Sequence, residues 1–142
     1  WVWVLAVEAP KAADKTSFLK MLDNVDNVGS TCSKGGAELK DMDSVAYWGG
    51  AGKSAMFLNY LGVPDDALVV DSDENKVGMY VPGTGIKIMS PAKLLIDHVD
   101  NIVITTAWRA RDIADEIARR NIPCNRILSF ETGKLVEVER GQ

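Results

Sequence analysis

The stretch Tyr47-Trp48-Gly49-Gly50-Ala51-Gly52-Lys53-Ser54 brings together three kinds of group that handle phosphate: glycines, an ammonium and a hydroxyl. Two phosphate-binding registers overlap in it. A Walker A arch needs Gly-x-x-x-x-Gly-Lys-Ser/Thr, because a long flexible backbone must wrap the β-phosphate. With Gly52-Lys53-Ser54 at its end, the position of the first glycine falls on Tyr47, whose side chain removes the freedom the arch requires. No separate strand ends in a magnesium-binding aspartate either, since Asp71 closes the very next strand.

The second register, Gly50-x-Gly52-x-x-Ala55, fits the G-x-G-x-x-G/A dinucleotide fingerprint between a strand and a helix. Its glycines let the backbone approach an anion, and the unpaired N–H groups and dipole of a helix start favour a phosphate there. Asp71, about twenty residues further on at the end of the next strand, is placed to accept hydrogen bonds from a ribose diol. The same residues also suit a tight strand-to-helix turn that binds nothing, and the fingerprint alone leaves that alternative open.

The elements around this loop follow from periodicity and punctuation. Residues 1–8 alternate and are rich in β-branched and aromatic side chains, predicting a strand that Pro10 ends. Phe18, Leu19, Leu22 and Val25 recur at helical spacing over 12–25, and 27–36 is a Gly/Ser loop. "SVAYWG" predicts a buried strand, and 51–61 a helix with Gly62 as its C-cap and Pro64 just beyond. Strands follow at 67–71 and at "IKIM", with a turn region and "PGTG" between them. Ser90 and Pro91 are start signals for another helix. A strand over 100–107, a helix over "RARDIADEIARRN" and strands at "NRILSFE" and "GKLVEVER" complete the series. Strands alternating with helices of about ten residues predict parallel pairing through right-handed crossovers. The expected fold is α/β: a small Rossmann-like three-layer domain with a mostly parallel sheet over 37–142, preceded by an N-terminal strand, helix and loop over 1–36.

Composition narrows the function. A chain of 142 residues with 46% hydrophobic and 25% charged residues has the make-up of one globular domain. The net charge of −4, without a Lys/Arg cluster, argues against nucleic acid as a partner. No run of about 18 apolar residues predicts a membrane span. The opening decapeptide lacks the basic leader of a secretory signal. Cys32 and Cys124 stand far apart without a CxxC or a His/Cys group, so neither zinc nor a disulfide framework is expected. They read as free thiols of a cytoplasmic protein. His98 is the lone histidine, in a polar segment with no evident orienting partner, and no catalytic residue is assigned. Trp48 and Tyr60 read as core.

Three segments taken together, "YWGGAGKSAMFLNYLGV", "VVDSDENKVGMYVPGTGIKIMSP" and "DNIVITTAW", resemble the C-terminal Rossmann-like domain of the sugar C-methyltransferase family, over about residues 39–131. That family reads close to YGAxGKGxxLLNY, then VDxNPxKQGxxxPGTHIPI, then a strand ending in Trp-Asn. Here Gly85 stands for its histidine, Lys87 for its second proline and Arg109 for its asparagine. The resemblance implies a ligand-facing set of Gly49, Gly50, Gly52, Lys53 and Ser54 in the first loop. Asp71, Asn75 and Lys76 belong to the second loop. Tyr80 with Pro82, Gly83 and Thr84 forms the third, and Trp108 follows the later strand. The family enzymes carry a cysteine-rich zinc module and a methyl-donor domain ahead of this one. These 142 residues contain neither, so methyl transfer by this chain alone is not expected.

The reading that follows is a small-molecule-binding module whose ligand is a nucleotide or nucleotide-linked sugar, alone or beside a separate methyltransferase. Two alternatives stay open: a small dinucleotide- or CoA-dependent enzyme, and a non-catalytic interaction or dimerisation domain whose "WVWV" edge pairs in a homodimer.

Overall fold

The computed structural model describes residues 6, 8, 38–131 and 134–141. The strand, helix and loop expected over 1–36 lie outside these residues, apart from Ala6 and Glu8.

Four short apolar runs form the centre of one six-stranded sheet. They are β1 (Val45–Trp48), β2 (Leu68–Val70), β4 (Asn101–Ile104) and β5 (Arg126–Glu131). β3 (Ile88–Met89) lies at one edge and β6 (Lys134–Glu137) at the other, giving the order β3-β2-β1-β4-β5-β6. All pairings are parallel except that of β5 with β6. The first five strands therefore follow the doubly wound 3-2-1-4-5 order of a Rossmann sheet.

Neighbouring side chains on these strands enter different cores, which is why the runs are largely apolar rather than alternating. Tyr47, Val69, Val103, Leu128 and Phe130 enter a first cluster, with Ala55, Leu58 and Leu61 of α1 (Lys53–Leu61). Ala46, Trp48, Val70, Ile102, Ile104 and Ile127 enter a second, with Ala110, Ile113, Ala114 and Ile117 of α2 (Ala110–Arg119). The two helices thus cover opposite faces of the sheet. Ile113 and Ile117, at helical spacing, lie on the buried stripe of α2 as their periodicity requires.

Helix α1 ends as its sequence specifies. Gly62 is left-handed at φ 63°, and its amide and that of Val63 return to the carbonyls of Asn59 and Leu58. The segment after Ser90 departs from expectation. Ser90 Oγ accepts the Ala92 amide at 3.4 Å, but the chain makes only a 3₁₀ helix over Pro91–Leu95. Only Pro91 and Leu94 are buried there, while Leu95 and Ile96 face solvent, so no apolar face is wide enough to sustain an α-helix. The link from β2 to β3 also lacks a helix. It is a loop over 71–87 that folds back on itself, with Gly78 N–H donating to Ile88 O and Val81 N–H to Ile86 O, each at 2.8 Å. No helix of the described residues is long and apolar enough to cross a membrane.

Candidate functional site

Strands β1 and β4 are neighbours, but the chain leaves them toward opposite faces, to α1 and to α2. A crevice opens at the carboxyl end of such a pair, where open α/β sheets bind ligands. The loop after β1 is the glycine stretch, and the loop after β4 runs from Thr105 to a 3₁₀ turn over Ala107–Arg109.

Each glycine of the first loop has its own reason. Gly49 has φ +113°, and a β-carbon there would sit 2.5 Å from Thr105 Oγ1 and 2.6 Å from Ser54 Oγ. Gly50 lies just beyond the carboxyl end of β1, where a β-carbon would meet Ile88 Cγ1 at 2.7 Å and Val69 Cγ1 at 3.1 Å. Gly52, at φ 58° and ψ −129°, turns the chain into α1 without a side-chain cap. The backbone is stitched to both neighbouring strands: Gly49 N–H donates to Val70 O at 2.7 Å, and Thr105 N–H to Trp48 O at 3.1 Å. The Thr105 hydroxyl adds 2.8 Å and 3.3 Å bonds to the carbonyls of Trp48 and Gly49.

Tyr47 lies inside β1 and is buried, so no phosphate-wrapping arch starts there. Burial also raises its phenol above the ordinary value.

Asp71 is buried at the end of β2. One carboxylate oxygen accepts the Gly50 amide at 3.2 Å and the other accepts the Asp73 amide at 3.0 Å. The residue singled out for a ribose therefore also braces the glycine loop. Lys53, the first residue of α1, is exposed, and its Nζ lies 5.1 Å from the centroid of the Trp108 ring across the crevice. Trp108 is 65% exposed, against 1% for Trp48, so it does not cap the sheet. The structure thus gathers Gly49, Gly50, Gly52, Lys53, Ser54, Asp71 and Trp108 at the carboxyl end of the sheet.

The other predicted residues are engaged within the loop over 71–87. Asp73 accepts both the backbone and side-chain N–H groups of Asn75, at 3.0 and 3.2 Å, and pairs with Lys76 Nζ at 3.8 Å. Thr84 Oγ1 accepts the Ile86 amide at 3.2 Å and donates to Val81 O at 3.4 Å, closing the turn that holds the buried Pro82 and Gly83. Tyr80 bridges to Lys87 in the same hairpin. This turn is held by Asn59, whose Nδ2 donates to Pro82 O at 2.8 Å and to Ala55 O at 2.7 Å. Asn59 is six residues, or about 9 Å, along α1 from Lys53. The Pro-Gly turn therefore packs on the flank of α1.

Polar residues outside the predicted set also shape the crevice. Trp48 Nε1 donates to Ser72 Oγ at 3.0 Å, Ser72 donates to Glu116 Oε2 at 2.7 Å, and Arg120 pairs with Glu116 at 2.8 Å. This chain ties the loop after β2 to α2. Thr105, Asn59 and Ser72 were not predicted; a polar side chain inside an apolar run, as in "FLNYL" and "VITTA", is the signal that marks the first two.

The profile of the C-methyltransferase C-terminal domain matches residues 3–126. The chain belongs to that family. A comparison with curated proteins gives no match. In this C-methyltransferase C-terminal domain the matched span begins well before β1 and ends at the start of β5, so it takes in the whole crevice. His98 is exposed in the loop before β4, and no group of three or more His, Cys, Asp or Glu side chains suited to a metal occurs among the described residues. A cavity of about 370 Å³ opens at the other end of the sheet, lined by Cys124, Ile127, Glu137 and Arg140 among others. It includes none of the predicted ligand residues.

Proposed function

We propose that this C-methyltransferase C-terminal domain binds a nucleotide or nucleotide-linked sugar in the β1/β4 crevice, as an accessory to a methyl-transferring unit. The observation that supports the reading is the convergence of the glycine loop, Lys53 and Trp108 where the chain diverges to opposite faces of the sheet. A diphosphate would lie against the amides at the start of α1, with Lys53 as its counter-charge. A planar base would lie on Trp108, a largely exposed aromatic surface. Asp71 would serve the sugar only through lone pairs left by the Gly50 and Asp73 amides. No residue in the crevice is assigned an acid or base role, so the methyl-transfer chemistry is placed in the partner unit. The setting proposed is the cytoplasm, where a free Cys124 stays reduced.

The test is a thermal-shift panel of dTDP, UDP, NAD, CoA and S-adenosylmethionine. At one hundred times its dissociation constant a ligand adds about 2.7 kcal/mol of stability, roughly 5–10 °C for a domain near this size. A shift with dTDP or UDP that Lys53→Ala removes supports the reading. A shift confined to NAD or CoA would favour a cofactor-dependent enzyme, and no shift at all would leave the crevice without a nucleotide role.

A further inference from the structure

The two groups assigned to opposite ends of a nucleotide are in contact with each other. Lys53 Nζ lies 5.1 Å from the Trp108 centroid, with Lys53 on the α1 side of the crevice and Trp108 on the α2 side. Neither is held by burial, since both side chains are exposed. Among the described residues Lys53 forms no salt bridge. Its cation–π contact is therefore its main attachment among the described residues. Behind it, the buried Ser54 directs its hydroxyl at Gly49, inside the loop that an anion would enter.

We propose that Lys53 and Trp108 form a latch across the crevice, opened by a ligand that carries both an anionic group and a planar ring. This rests on the nucleotide reading above. The anion draws the ammonium toward the glycine loop, and the ring takes the indole face that Lys53 vacates. A contact of this kind at an exposed site is weak enough to yield to a phosphate. It is also strong enough to tax ligands that offer only half of the exchange. An anion alone must uncover Trp108 without covering it again, and a base alone must displace Lys53 without giving it a new partner. The latch thus selects for the two features in one molecule.

Calorimetric titration of the intact chain and of Trp108→Ala with inorganic pyrophosphate and with UDP tests this. The latch predicts opposite changes in the variant. Pyrophosphate binds two- to fivefold more tightly, because Lys53 is no longer held, the factor being what an exposed cation–π contact is worth. UDP binds more weakly, because its base has lost the indole. If pyrophosphate affinity is unchanged in Trp108→Ala while UDP binding weakens, the latch is overturned and the nucleotide site stands. If pyrophosphate tightens and UDP does not bind the intact chain at all, the latch holds and the nucleotide reading fails. If neither probe binds the intact chain, both are overturned.

Discussion

The Asp71 carboxylate accepts the Gly50 amide at 3.2 Å across 21 residues of sequence, joining the end of β2 to the loop that follows β1. Removing that acceptor leaves a buried N–H without a partner. Asp71→Ala should cost about 1–3 kcal/mol of stability in urea titration, the range for orphaning a buried donor or losing a bond to a charged group. Asp71→Asn, which keeps an oxygen in reach of Gly50, should recover part of the loss. Equal losses in the two variants would mean that the bond to Gly50 does not brace the loop.

Gly49 and Gly50 should respond differently to a methyl group. At Gly49 the backbone is in a region that side chains avoid, and Thr105 Oγ1 and Ser54 Oγ crowd the new carbon from two sides. Gly49→Ala should therefore cost at least about 1–3 kcal/mol, with little rescue by Thr105→Ala. At Gly50 the obstacle is the side chain of the buried Ile88, whose Cγ1 and Cδ1 would lie 2.7 and 2.8 Å from the new carbon. The pair Gly50→Ala and Ile88→Ala should show a favourable coupling of about 0.5 kcal/mol or more in a double-mutant cycle. Strict additivity there would remove Ile88 as the reason for the glycine.

Asn59 is the clamp on the Pro-Gly hairpin, through its 2.8 Å bond to Pro82 O. Asn59→Ala should speed amide exchange at Gly85 and Ile86, whose N–H groups close that turn, and leave Thr105 N–H protected. Faster exchange at all three amides would point to global destabilisation instead of a local clamp.

Tyr47 makes stability depend on alkaline pH. Burial raises its pKa in the folded chain above the ordinary value near 10.0, so its contribution is complete below that value. As pH rises beyond it, the unfolded chain releases the proton first and stability falls until the folded phenol also ionises. Chemical denaturation between neutral pH and about pH 11 should show this decline, and Tyr47→Phe should flatten it. An identical slope in the variant would assign the decline to other groups.

Much of the architecture can be read from short runs of residues. The β1–α1–β2 unit is legible because an apolar strand, a glycine loop, a helical face and the Gly62–Pro64 stop follow each other without ambiguity. α2 is legible because Ile113 and Ile117 mark one stripe among charged residues. The 3₁₀ helix at Pro91 is not, because its start signals are genuine and what is missing is a partner surface for Leu95 and Ile96. The same division holds in the crevice. The glycines announce themselves through chemistry that no other residue supplies, whereas Trp108 is marked only by the family resemblance. The supports for these residues lie elsewhere in the chain: Thr105 binds Trp48 O across 57 residues, and Ser72 binds Glu116 across 44. No local pattern encodes such partners. The Pro-Gly turn likewise takes its place from a distant partner, Asn59 on the flank of α1.

Helix α1 begins with Lys53, has no side-chain cap at Gly52 and carries no acidic residue in its first turn. A cation at that end opposes the helix dipole by about 0.3–1 kcal/mol, where an aspartate or glutamate would have helped. In an acidic protein with 20 carboxylate side chains, this is a local inversion of the prevailing field. The sheet carries the burden: Leu58, Ala55 and Leu61 anchor the helix firmly enough that its first turn need not be electrostatically content. Among the described residues Lys53 pairs with no carboxylate, so the start of α1 keeps a deficit of negative charge that a visiting anion would meet.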